Sequence, residues 1–284
     1  MTNEVTKYKD LSTEELMALT GQSTGKKSDF PRLEITKGGF DEQKRPWPPG
    51  YAVTHGGQSL YGEPAFFRPF INTYSYGKYN PDTKKFDNRT IMIKGFNEDA
   101  LDELGGLACG RINKKQREGL SEEVLKEQKN IKCYRTVYGL VSMNGRTIDG
   151  EKHELKDLPV YMRLSGDNFM PIQEPLDWLA RKKMPMLSAV LELTTSSQRN
   201  GSNTWCRLEA EVVEGQTVKL GETDWQLLKE FQQSIDRYNQ GVLKKREAFK
   251  NKVDVPASEA EVINAIEAEF HDDTKFLDEI GHNE

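Results

Sequence analysis

Ala65-Phe66-Phe67-Arg68-Pro69-Phe70-Ile71-Asn72-Thr73-Tyr74-Ser75-Tyr76-Gly77-Lys78-Tyr79 is the stretch on which the reading of this chain turns. Aromatic and β-branched residues crowd it, which favours a pleated, half-buried strand. Asn80-Pro81-Asp82 follows as a turn signal, and Arg89 to Phe96 alternates with Ile91 and Ile93 on one face. Together the two runs predict a β-hairpin. Within the first strand Tyr74, Tyr76 and Lys78 share parity and project from one face.

More strands follow outward. Lys132–Ser142 is expected to be one, closed by a turn at Asn144-Gly145, and Pro159–Leu164 another. Glu174–Ala180 starts a short helix with Pro175 near its opening. Leu187–Thr195 and Trp205–Val213 form a second hairpin around Asn200-Gly201-Ser202-Asn203, with Cys206, Leu208, Ala210 and Val212 on one face. Residues 113–130 are charged and helical, opening near Ser121. Towards the N-terminus, Pro46-Trp47-Pro48-Pro49-Gly50 reads as a rigid turn, because proline fixes φ. Leu33-Glu34-Ile35 reads as a short strand, and Ser12-Thr13-Glu14-Glu15 as a capping box opening a short helix.

From Thr223 the period changes. Trp225, Leu228, Phe231, Ile235, Tyr238 and Val242 recur at three and four residues, one face of an amphipathic helix. It is expected to open on a Thr223/Gln226 capping box, to run towards Lys250 and to weaken near Gly241. Ser258 and Glu261 cap a last short helix. The predicted class is α+β. A β-rich body over 41–221 follows an N-terminal arm over 1–40. An amphipathic helix over 222–256 and an acidic tail over 257–284 complete the chain.

Charge is unevenly placed. The net charge is −5, yet residues 257–284 hold nine acids and one lysine, net −8. The remainder, with 39 basic and 36 acidic residues, is +3. An acidic tail on a mildly basic body can compete with a polyanion or recruit a basic partner. The three cysteines, Cys109, Cys133 and Cys206, are widely separated, which fits a reducing cytosol better than a disulfide framework. No apolar run approaches the ~20 residues of a membrane span, and the N-terminus lacks the features of a secretory signal. No phosphate loop, nucleophile elbow or metal-ligand pair occurs at motif spacing. The expectation is therefore binding without catalysis or cofactor.

Binding single-stranded nucleic acid needs rings that stack on bases and cations that follow phosphates. Both interleave here, giving the candidates Phe67, Arg68, Tyr74, Tyr76, Lys78, Tyr79, Lys84, Lys85, Arg89 and Lys94. Phe66, Phe67 and Phe70 also fit a β core. Tyr74, Tyr76 and Tyr79 sit among Ser, Gly, Lys and Asn, which favours exposure. Further cations lie near element ends: Arg111, Lys114, Lys115, Lys132, Arg135, the run Arg181-Lys182-Lys183, and Arg199 at a hairpin tip.

Phe66–Lys94, the strand–helix–strand run Pro159–Val213 and the tail Glu259–Glu284 together resemble bacteriophage single-stranded DNA-binding proteins. The resemblance implies an OB-like barrel that holds the DNA strand. It also implies a tail that competes with DNA and contacts a polymerase, helicase or other replication or transcription protein in the (host) cytoplasm. Partner contact falls to Glu267, Glu269, Asp272, Asp273, Phe276, Asp278 and Glu279. The family's tail commonly ends in an aromatic residue; this one ends Gly281-His282-Asn283-Glu284, and Phe276 is the nearest ring. The long helix exceeds what a minimal barrel needs and either docks on the body or mediates self-association. Two other readings stand beside this one. One is a transcription accessory factor that binds DNA and polymerase; the other is a virion or scaffold protein with the Trp225 face as its interface.

Overall fold

The structure, a computed structural model, describes residues 30–40, 44, 46–55, 58–80, 82–83, 85–95, 100–104 and 119–251. The N-terminal Ser12 helix, the Ser258 helix and the acidic tail lie outside them.

The fold is a β-rich α+β arrangement around one large antiparallel sheet. Its strands are β1 (Leu33–Phe40), β2 (Pro46–His55), β3 (Gln58–Gly62), β4 (Ala65–Asn80), β5 (Lys85–Arg89), β6 (Ile131–Arg146), β7 (Lys152–Leu164), β8 (Ala189–Asn200) and β9 (Asn203–Thr217). Helix α1 (Glu122–Lys129) precedes β6, α2 (Gln173–Arg181) joins β7 to β8, and α3 (Glu222–Asn251) ends the described chain. The ladder order is β1-β2-β3-β6-β4-β8-β9, with β5 on β4 and β7 on β6. The sheet is open in its ladders. A single parallel bridge, Arg32 to Tyr161, ties the start of β1 to β7, and β1 also packs beside β9.

The long β4 organises the rest. It pairs with β6 from Ala65↔Met143 to Lys78↔Ile131. Its other edge takes β8 at Ala65–Phe67 and β5 at Gly77–Asn80. One side of the sheet encloses a core of Tyr51, Phe67, Val137, Val141, Met162, Leu191, Leu193 and Leu208, with Ile172 from the turn between β7 and α2 buried in it and Leu176 of α2 packed against it. Asn168 binds that turn to β9, accepting from the Leu208 N–H at 2.6 Å and donating to the Cys206 carbonyl at 3.4 Å.

The other side is covered by α3. Phe231, Ile235, Tyr238 and Val242 pack on Phe70, Ile71, Tyr138, Leu140 and Tyr161, with Phe30 and Met92 closing the layer. Asn239 behaves as a strand neighbour, accepting from the Met92 N–H at 2.7 Å and donating to the Met92 carbonyl at 3.1 Å. Arg68 donates to Asp224 at 2.8 Å near the start of the helix, and Arg246 meets Asp102 towards its end. The predicted helix face thus docks within the chain, although Trp225 at its head is 50% exposed.

Several local expectations are corrected. Pro46–Gly50 is strand, not turn: it pairs with β1 from Phe40↔Pro46 to Thr36↔Gly50, with no pair at Pro48, and its other edge has no β3 partner before Tyr51, an edge setting that proline tolerates. β1 belongs to the sheet, so the first forty residues are not all arm. Asn144-Gly145 stays in β6, paired with Glu154 and His153, and the reversal comes at Thr147–Gly150. The first hairpin returns on Lys85–Arg89, and beyond it the described residues add one bridge to β4, Tyr74 to Ile93, while Thr90 bridges to Asp102. Helix α3 passes Gly241 unbroken. Its N-terminal box is Gly221/Asp224, the Asp224 carboxylate accepting from the Gly221 N–H at 2.8 Å, rather than Thr223/Gln226. Among the described residues no helix is long and apolar enough to cross a membrane.

Candidate nucleic-acid interface

The strand-borne candidates divide by face. Phe67, Tyr74, Tyr76 and Arg135 are all at or below 6% exposure. Tyr74 pairs with Arg135 and Tyr76 with Cys133, so these side chains lie on the core side of the sheet. The Arg135 guanidinium sits 4.6 Å from the Phe169 ring and 5.2 Å from the Tyr74 ring. It donates from Nη2 to Gln173 Oε1 and to the Tyr74 hydroxyl, while Nε and Nη1 have no hydrogen-bond partner among the described residues. Burial pushes its pKa down. These four are packed residues, and the expected exposure of Tyr74 and Tyr76 is overturned. Burial on both faces of β4 is the reason: Phe67 points into the main core, Tyr74 and Tyr76 form a smaller cluster with Ile93 that Ile91, Ala100, Cys133 and Phe169 close, and the opposite face carries α3 on Phe70 and Ile71.

Two further cations are already neutralised. Arg68 donates from Nε to the Leu187 carbonyl at 2.6 Å and from Nη1 to Asp224 at 2.8 Å, with its guanidinium 5.0 Å from the Phe70 ring. Arg89 is buried and paired with Glu103 at 3.3 Å; Glu103 also takes Lys245 at 3.5 Å. Neither guanidinium can meet a phosphate without giving up its carboxylate partner, half-buried Asp224 or buried Glu103, an exchange with little net gain.

The remaining described candidates fall into separate groups. Lys78, Tyr79, Lys85 and Lys132 gather at the far end of β4, by the register Asn80↔Lys85 and Gly77↔Lys132. Lys85 is exposed and the other three are half-buried. Lys94 is exposed on the connection after β5. Arg181, Lys182 and Lys183 are exposed at the end of α2, where Lys182 stands 5.7 Å from the Trp178 ring. Arg199 is exposed at the β8–β9 tip and donates to the Gly201 carbonyl at 3.0 Å. That tip projects beyond Ala65, at the opposite end of β4 from Tyr79. Lys84, Arg111, Lys114 and Lys115 lie outside the described residues. So do the tail positions Glu267, Glu269, Asp272, Asp273, Phe276, Asp278 and Glu279.

Phe86, part of the same interleaved stretch Phe66–Lys94, and two residues that the sequence did not single out, Tyr134 and Arg163, complete the first group. Phe86 on β5 stands edge-on to Tyr79, ring centres 5.7 Å apart, and to Tyr134 on β6, 5.8 Å apart. Arg163 on β7 lies 4.1 Å over Tyr134. Four neighbouring strands thus carry a row of three rings and a guanidinium across one face. Tyr134 and Arg163 are buried, whereas Tyr79 and Phe86 are half-buried. The interleaving of Lys and Phe around 84–86 was the available signal for Phe86. No local signal marks Arg163, whose ring partners come from two other strands. Physically, the row offers half-exposed aromatic surface beside cations. The chain matches no family model, no curated protein and no solved structure.

Proposed function

We propose that this chain binds single-stranded DNA without sequence preference, as a non-catalytic component of phage-type replication or recombination. The observation that carries the reading is connectivity. In an OB barrel the first strand pairs with the second and the fourth, and a helix joins the third to the fourth. Here β4, β6, β7, α2, β8 and β9 follow in that order with those pairings. On this reading β1 stands between β7 and β9, where a minimal barrel would close. OB barrels grip oligonucleotides with the face of their second and third strands and with the loops after the first and fourth. The corresponding connections here, 81–130 and the β8–β9 tip, hold Lys84, Lys85, Arg89, Lys94, Arg111, Lys114, Lys115 and Arg199. Of these, Arg89 is spent on Glu103.

Binding works by ring stacking and phosphate neutralisation, so affinity falls as salt rises and counterions are no longer released at a gain. The tail, at −8, competes for the same cations and is free to recruit a polymerase, helicase or other replication or transcription partner when DNA displaces it. The assembly reading relied on the α3 face as a contact between copies; that face is largely used within the chain.

Fluorescence anisotropy of a labelled oligothymidine at two salt concentrations tests the proposal, with duplex DNA as the control. Tight, salt-sensitive binding to the single strand, with a weaker duplex signal, is the expected result. Removal of residues 257–284 should then tighten it. No binding at low salt, with or without the tail, refutes the reading.

A further inference from the structure

Helix α3 covers the outward face of β4, β6 and β7 from Phe70 to Tyr161, the middle of the surface an OB-type binder would use. The cover is well anchored, through Asn239 on Met92 and through the Tyr238 hydroxyl, which donates to the Thr90 carbonyl at 3.0 Å. Next on the same face come Arg163 and Tyr134, both buried, and then the row opens at Phe86 and Tyr79.

Gly77 makes that opening possible. A Cβ on it would lie 2.7 Å from Cε1 and 2.9 Å from Cδ1 of the Phe86 ring. Only glycine lets the ring settle against β4 at this point. The ring is then held by the edges of Tyr79 and Tyr134, with the Arg163 and Arg89 guanidinium groups 5.6 and 5.9 Å from its centre. It is a fixed, half-exposed aromatic surface rather than a mobile side chain. Lys132 stands across the ladder from Gly77, half-buried and without an ion pair among the described residues. Its ammonium pKa is pushed down by burial, so an anion placed beside it supplies favourable charge that the described residues do not. Exposed Lys85 adjoins Phe86 in the chain.

We propose that Phe86 and Tyr79 form the stacking platform for a nucleobase at the uncovered end of this face, with Lys132 taking an adjacent phosphate. This rests on the single-stranded DNA reading and gives it a location: the strand enters past the end of α3 and does not displace it. The platform comes from the inserted β5 and from the far end of β4, beyond the part of that strand that α3 covers.

Two measurements decide it. Oligothymidine affinity of Phe86→Leu should fall about five- to 150-fold, the range that corresponds to ~1–3 kcal/mol of stacking per base. Lys132→Gln should weaken binding and flatten its salt dependence by about one counterion. Irradiation of the wild-type complex with a bromouracil-substituted strand should crosslink the peptide spanning residues 78–89, a result independent of how the variants fold. Wild-type binding with unchanged affinity in a folded Phe86→Leu protein overturns the platform but leaves the DNA reading standing. So do crosslinks confined to residues 199–203 or 181–183. Absence of wild-type binding overturns both.

Discussion

Phe231→Ala tests whether α3 is a permanent layer of the fold. The Phe231 ring is fully buried, with ring centres of Phe30, Tyr138 and Phe70 at 4.7, 5.4 and 5.7 Å. Truncating a buried phenylalanine costs about 3–5 kcal/mol in transfer and cavity energy. Three aromatic neighbours, each worth roughly 0.5–1.5 kcal/mol beyond area, place this site towards the upper end, near 4–5 kcal/mol. That is a large share of the ~5–15 kcal/mol that holds a typical domain together, and corresponds to a drop in Tm of about 8–20 °C for a chain of this size. Urea unfolding followed by far-ultraviolet circular dichroism and by tryptophan fluorescence measures it, with Trp225→Ala as control on the same helix. The control residue is half exposed and should cost less than ~1 kcal/mol. A Phe231→Ala loss no larger than the control's would mean that α3 does not rest on the sheet. The covered face would then be available to DNA, and the argument for a displaced binding platform would fall with it.

Other outcomes follow from the same packing. Tyr74→Ala with Tyr76→Ala should unfold the protein rather than remove a binding surface, since two buried rings at about 3 kcal/mol or more each approach the whole stability of a domain. Near-ultraviolet circular dichroism of the double variant checks this, and a native spectrum with lost DNA affinity would contradict it. Asp224→Asn should lower stability at neutral pH. The Arg68 hydrogen bond, with help from the Gly221 N–H, holds the Asp224 carboxyl below its ordinary value of 3.8. Its contribution is therefore present above that value and is lost as pH falls through the lowered one. Melting curves of wild type and variant should converge as pH is taken below about 4; a gap as wide there as at pH 7 would remove the Arg68 clamp from the account.

The parts of the fold legible in the sequence are those where one face meets water. β8 and β9 alternate cleanly because Cys206 and Leu208 face the core while Arg207 and Glu209 are exposed, and Gly201 supplies the left-handed residue of the turn at φ 61°. The α3 stripe was equally clear. β4 was readable as a strand but not as to which side does what, since both of its faces are covered over most of its length. Asn144-Gly145 misled for another reason. Gly62 and Gly145 are glycines because β3 and β6 come into close approach: a Cβ on Gly62 would lie 2.5 Å from the Asn144 carbonyl oxygen, and one on Gly145 3.2 Å from Leu60 Cβ. Glycine signals backbone crowding as readily as a turn, and the sequence does not distinguish the two.

The candidate cations on β4, β5 and β6 separate along a chemical line that no spacing rule captures, whereas Arg181 and Arg199 stay exposed at element ends. Arg68, Arg89, Arg135 and Arg163 lie inside strands, and each is stacked on a ring. The described lysines among the candidates are exposed or, at Lys78 and Lys132, half-buried, and none is fully buried. A guanidinium is planar and weakly hydrated, so it tolerates being laid on an aromatic face; an ammonium is compact and strongly hydrated and stays near water. The acids that neutralise Arg68 and Arg89 come from Asp224 and Glu103, 156 and 14 residues away in the chain. An arginine between aromatics in a strand therefore reads in sequence like a phosphate contact, while in the fold it is cross-strand packing. Lysines beside the same rings keep their charge available. For this chain that moves the weight of any DNA contact from the arginines of β4–β6 to Lys85, Lys132 and the rings they flank.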